Sequence, residues 1–268
     1  MALPVSFGAL RGLVKELQRS ARDEKPLVVG GARELAAVLR RELGRDAAPG
    51  AVRSDDAPEG AAVYVHVLGR EPTGEDESAL KRSRRARVPI VAVTTGPFSE
   101  DVSIPFVPAT DVVRVEAGAG FPVDAIARVV AARLGEDGAP LAARLPVLRR
   151  SVCEQLVAEF SRKNGIFAAA AFVPGADLPV LAMNQVRMLL RIEQAHGLEA
   201  DPRKRAPELL ATVGAGLGLR AVARQLLAVV PVAGWAVKGA VAYAGTRALG
   251  EAAVRRLEVG APGGRRRS

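Results

Sequence analysis

Residues 27–44 read LVVGGARELAAVLRRELG, a strand signal that runs straight into a helix signal. The aliphatic run 27–30 passes through Gly30-Gly31 into a segment where Leu35, Val38, Leu39 and Leu43 recur at helical spacing. Gly44 is placed to end that helix in the left-handed conformation. Two further runs, Val63–Leu68 and 88–93, are also nearly continuous Val, Ile and Leu. Such runs suit parallel strands covered on both faces. A second helix is expected near Thr73, with Asp76 three residues on to form a capping box. Glu75, Asp76 and Glu77 fall in its first turn and Lys81 to Arg87 toward its last, which complements the helix dipole. A third helix is expected from Pro122, turning Val123, Ile126, Val130 and Leu134 inward and stopping at Gly135. Weaker strands are expected at 51–53, 104–107 and 112–115. The alternation predicts an α/β domain with a small doubly wound, mostly parallel sheet.

Such sheets often bind nucleotides at the carboxyl ends of their strands. A P-loop needs glycines that expose backbone N–H groups, a lysine for the phosphates and a hydroxyl for magnesium. This chain has no Gly-Lys dipeptide, and Glu34 sets a negative charge where phosphate would lie. Gly30-Gly31 therefore reads as a tight strand-to-helix turn rather than a phosphate cradle. The basic run 81–87 has no interleaved aromatics for base stacking, so it reads as a solvated helix face and nucleic acid is not an expected partner. His66 has no acid or cysteine beside it in sequence and reads as a packed core histidine. No nucleophile elbow is present, and one cysteine with two histidines offers no structural zinc set. No cofactor is implied, and the chain reads as a non-enzyme.

In layout, residues 63–97 resemble the stretch of an Era-like GTPase domain from its third strand to its guanine-reading motif. Thr94-Thr95-Gly96-Pro97 stands where that family has Asn-Lys-x-Asp, so no carboxylate is present to read guanine. The resemblance implies a degenerate GTPase-like α/β domain that has lost its chemistry.

The remainder of the chain differs in kind. Of the 268 residues, 1–138 carry 19 Lys+Arg and 20 Asp+Glu, a net of −1. Residues 139–268 carry 19 basic and 9 acidic residues, a net of +10. Four helices are expected there, at about 141–172, 178–196, 206–229 and 232–258. Pro174 stops the first, and Asp177 is placed to cap the second with Pro179 in its first turn. Alanines at 236, 240, 244, 248 and 252 mark one face of the last helix. Gly214 and Gly218 on the preceding helix suggest that the two pack as a tight hairpin around Pro231. Trp235 and Tyr243 read either as interfacial anchors or as core aromatics, and Cys153 as a buried small apolar residue. The N-terminal segment, with Phe7, Leu10, Val14 and Leu17 at helical spacing, reads as an amphipathic helix docked on the next domain, not as a secretory signal.

Asn164, the run Pro174-Gly175-Ala176-Asp177 continuing through Gln185 to Met188, then Gly234-Trp235, Tyr243, Thr246 and Gly250 resemble the YcjF-like family. This is a bacterial domain of unknown function, often found behind Era-like GTPase domains or in inner-membrane proteins. The resemblance implies a helical, membrane-associated accessory domain with no known reaction. The expected organisation is an N-terminal helix (1–25), the α/β domain (26–138), the helical domain (139–260) and a basic tail (261–268).

Two segments approach transmembrane character. Residues 164–186 contain Asp177 as their only charge, and 225–246 contain only Lys238. Arg220, Arg224 and Arg247 interrupt the longer spans. Two pictures stay open: hairpins entering the bilayer from the cytoplasmic side of the inner membrane, and a soluble cytoplasmic bundle. The expected function is a non-enzymatic accessory or scaffold protein. Its partners would be an anionic lipid surface and a protein or a second copy of the chain. The alternative is a regulator that binds nucleotide without hydrolysis, through backbone groups at Gly30, Gly31 and the 94–96 turn.

Overall fold

The computed structural model describes residues 7–55, 57–69, 71–96, 103–116, 118–170, 178–198 and 234–260. The chain divides into two compact units. One comprises residues 22–155, and the other combines 1–21 with 156–268. Residues 139–155 thus belong with the α/β unit, beyond the boundary expected at 138, and the N-terminal helix belongs with the helical unit.

The α/β unit is built on five strands: β1 (Leu27–Gly31), β2 (Val52–Ser54), β3 (Val63–Leu68), β4 (Ile90–Thr95) and β5 (Val112–Val115). All pair in parallel, in the order β2-β1-β3-β4-β5. Leu27 sits opposite Val52 on one side and Val63 on the other. Helices α2 (Arg33–Leu43), α3 (Gly74–Arg85), α4 (Val123–Leu134) and α5 (Gly138–Arg144) complete the layers. Every residue of β3 is buried, as the unbroken apolar run requires of a strand covered on both faces. Val28, Tyr64, Leu68, Ile90 and Ala92 form one face with Ala79 and Leu80 of α3. Helix α4 packs on β3 and β4.

Several expectations need correction. Residues 104–107 form no strand. Pro105 lacks an N–H, Phe106 has φ 65°, and Val107 N–H donates to Ile104 O in a turn. Ile104 and Val107 still reach the core. The third strand signal begins two residues late, because Arg87 (φ 57°) and Pro89 form the entry turn to β4. In α2, Ala36 joins Leu39 and Leu43 in the core, while Val38 is 40% exposed. Gly44 does not turn left-handed: its φ is −80°, and Asp46 (φ 62°) reverses the chain instead. A Cβ at Gly44 would meet Arg40 O at 2.9 Å, so closeness rather than handedness favours glycine there. The helix expected over 141–172 is two, α5 and α6 (Arg149–Ala170), broken by a 3-10 turn at Pro146–Leu148. Leu145 before the proline takes φ −126°, as residues preceding proline do.

The helical unit contains α1 (Phe7–Ala21), α6 from residue 156, α7 (Leu178–Ala195) and α8 (Gly234–Gly260). Helix α1 docks on α7 rather than on the α/β domain. Leu13 and Leu17 pack with Ala182, Val186, Leu189 and Leu190. Glu16 pairs with Arg187 and Arg191, and Ser20 accepts from Arg191 at 2.8 Å. The alanine face of α8 is also corrected. Ala236, Ala240, Ala244, Ala248 and Ala252 are exposed, and the buried line is Gly239, Ala242, Thr246 and Gly250. Its neighbours there lie on α6 and α7: Gly239 approaches Gly165, and Gly250 approaches Val157 and Met188. The expected 206–229 helix, with Gly214 and Gly218, lies outside the described residues, as do Pro174, Gly175, Asp177 and the basic tail.

Candidate functional site

The strand order places a topological switch between β1 and β3. The chain leaves β1 toward β2 on one side and leaves β3 toward β4 on the other. Open parallel sheets receive ligands at such points, beyond the carboxyl ends of the strands. A cleft of about 580 Å³ lies there. Gly31, Ala32 and Arg33 line it from the end of β1, and Gly74, Ser78 and Arg82 from α3. His66 and Asp76 complete the wall.

The glycine pair is shaped by packing. Gly31 has φ 95°, where a side chain is strained, and a Cβ at Gly30 would collide with the Tyr64 hydroxyl and approach Asp55 O at 2.7 Å. Ala32 N–H donates to Val67 O at 2.8 Å, which spends on the sheet a group that a phosphate cradle would need. Ala32 offers α2 no side-chain cap, so first-turn N–H groups remain beside Arg33 at the cleft. Gly30 and the 94–96 turn are not among the lining residues.

His66 is 1% exposed, and the structure supplies the acid that sequence proximity lacks. Its Nε2 lies 3.0 Å from Asp76 Oδ1 and its Nδ1 3.0 Å from the Tyr64 hydroxyl. A carboxylate only accepts, so Nε2–H is the donor to Asp76, and Nδ1 of the neutral ring accepts from Tyr64. Asp76 Oδ2 accepts from Thr73 N–H at 2.9 Å and from Thr73 Oγ1 at 2.7 Å. The expected capping box is therefore present, and the same carboxylate ties α3 to β3. Burial pushes the Asp76 carboxyl up, but hydrogen bonds from Thr73 and His66 together outweigh it and hold it below 3.8. The signal available in sequence was the capping box. The missing step was that the inward face of β3 carries His66 past the start of α3.

In the helical unit, three residues of the YcjF-like motif meet in one buried polar layer. Asn164 Nδ2 donates to Thr246 Oγ1 at 3.0 Å, and Gln185 Nε2 donates to the same oxygen at 3.1 Å. Asn184, which the sequence did not single out for a role, donates to Asn164 Oδ1 at 2.8 Å. Asn164 and Thr246 are fully buried. Met188 and Gly250 pack against each other. Gly234 begins α8, Trp235 is 68% exposed and Tyr243 37%, so neither aromatic is a core residue. Cys153 is buried, as expected.

Among the described residues no cluster of His, Cys, Asp and Glu could hold a metal ion, and no helix is long and apolar enough to cross a membrane. No family model matches the chain, and no curated protein is detectably similar to it.

Proposed function

We propose that this protein is a non-catalytic accessory or scaffold protein whose helical unit associates with a membrane and whose α/β unit binds a partner. One observation carries the reading. Large apolar side chains stand exposed on the helical unit (Ile166, Phe167, Val180 and Trp235), in a half of the chain with a net charge of +10. Exposed apolar groups beside cationic ones fit an anionic lipid surface. The YcjF-like resemblance and the internally tied His66–Asp76 pair agree with an accessory role. The test is flotation of the full-length protein with anionic and neutral liposomes. Co-flotation that favours anionic lipid supports the reading, and recovery only in the soluble fraction with both vesicle types rejects it.

A second reading, a regulator that binds nucleotide without hydrolysis, is favoured by the cleft at the β1/β3 switch. Arg33 and Arg82, rather than Gly30 and the 94–96 turn, would carry the phosphate contacts. Titration calorimetry with GTP and ATP distinguishes the two. Saturable micromolar binding that is lost in Arg33→Ala and Arg82→Ala would establish the second.

A further inference from the structure

Helices α6, α7 and α8 change character at one level. On one side of the Asn164–Gln185–Thr246 layer lie residues 164–170, 178–186 and 234–246, which hold a single charge, Lys238. The first residues on the other side are Lys163, Arg187 and Arg247, one basic group from each helix. Lys163 and Arg247 pair with Glu159 and Glu251, which lie farther from the uncharged end.

The packing inverts at the same level. In the charged part, Phe160, Leu156, Leu189, Leu190 and Ile192 are buried, as in a bundle folded in water. In the uncharged part, Gly165 meets Gly239, and the buried cluster is only Ala168, Leu181 and Ala242. The large apolar groups Ile166, Phe167, Val180 and Trp235 face outward, 64%, 51%, 41% and 68% exposed. Small residues inside and large apolar residues outside suit helices packed in lipid, where burial of large side chains gives no gain over exposure to acyl chains.

We infer that this end of the helical unit inserts into one leaflet of an anionic bilayer and stops at the ring formed by Lys163, Arg187 and Arg247. Residues 234–246 rise only about 20 Å, too short for a hydrocarbon core of about 30 Å. Insertion without crossing follows. Lys238 reaches the headgroups along its four-carbon stem. The inference rests on the proposed membrane association and adds to it which surface enters the lipid and how far.

Trp235 is the only tryptophan in the chain, so fluorescence of the full-length protein reports on this end alone. The probe is vesicles of phosphatidylglycerol and phosphatidylcholine, with and without acyl-chain bromines. The expected result is a blue shift of Trp235 and quenching by the bromines, both persisting in high salt. Phe167→Lys and Ile166→Lys alter exposed positions that the fold does not need, and each should weaken partitioning about tenfold or more. Val38→Lys, an exposed change in the α/β unit, should leave it unchanged. Binding released by salt, with Trp235 unshifted, would overturn the insertion and leave membrane association standing. No binding would overturn both, and a dimer that shields Trp235 and ignores vesicles would assign this end to a second copy of the chain.

Discussion

The Asn164 amide donates to the Thr246 hydroxyl at 3.0 Å, although 82 residues separate them in the chain. That oxygen also accepts from Gln185. Three helices are therefore held in register by one hydroxyl.

Thr246→Val keeps the shape and removes the acceptor. Two buried amide donors lose their partner, and the helical unit should lose about 1–3 kcal/mol. Thr246→Ser retains the oxygen and should recover most of that loss. Thermal melts followed by circular dichroism, wild type against both variants, measure the difference.

The Asp76 carboxyl is held low in the folded state, so it binds protons more weakly there than in the unfolded chain. Its contribution to stability is fully present above pH 3.8 and is lost as pH falls through the lower folded value. Asp76→Asn should lower stability at neutral pH by about 1–3 kcal/mol. It should also flatten the acid limb of the stability curve. Denaturant unfolding across the acidic range shows both effects, and an unchanged acid limb would remove Asp76 from the account.

Gly250→Ala sets two effects against each other. Alanine gains about 1 kcal/mol of helix propensity over glycine. The added Cβ would lie 2.6 Å from Val157 Cγ2 and 3.1 Å from Met188 Cε, and overpacking of this kind costs about 1–3 kcal/mol. Met188 can give way, but the branched Val157 cannot do so without moving its helix. The expected outcome is a net loss in melting temperature. Gly12→Ala on α1, where a Cβ meets nothing within 4 Å, should instead raise it slightly.

Gly30→Ala should destabilise the α/β unit, because the Tyr64 hydroxyl and Asp55 O occupy the space a methyl group needs. Gly30→Ala combined with Tyr64→Phe should recover part of the loss, since the phenolic oxygen is the nearer obstruction. A double-mutant cycle in urea reads the coupling.

The parallel sheet was legible because its strands are unbroken aliphatic runs, a pattern that burial on both faces imposes on residues 27–30 and 63–68. The capping box at Thr73 and Asp76 was legible because its spacing is local. Hydrophobicity alone could not show that residues 104–107 lie in the core without pairing, since Pro105 and the φ of Phe106 decide that. The alanine spacing on α8 was real, but period alone does not say which of two small-residue faces meets a partner. Asn164, Gln185 and Thr246 were picked as motif residues with no geometric reason. Their meeting in one layer supplies a physical role, and the contact is too distant in sequence to be inferred from spacing.

Helix α1 has a consequence for synthesis. Ser20 contacts Arg191, which emerges from the ribosome 171 residues later. At about 5–20 residues per second, Leu13 and Leu17 wait roughly 10–30 s for the surface that covers them. The α/β unit is translated entirely within that interval, so a nascent chain carries a folded middle between two unfinished ends. Chaperone occupancy on stalled chains should accordingly peak over α1 and fall once residue 195 has cleared the exit tunnel.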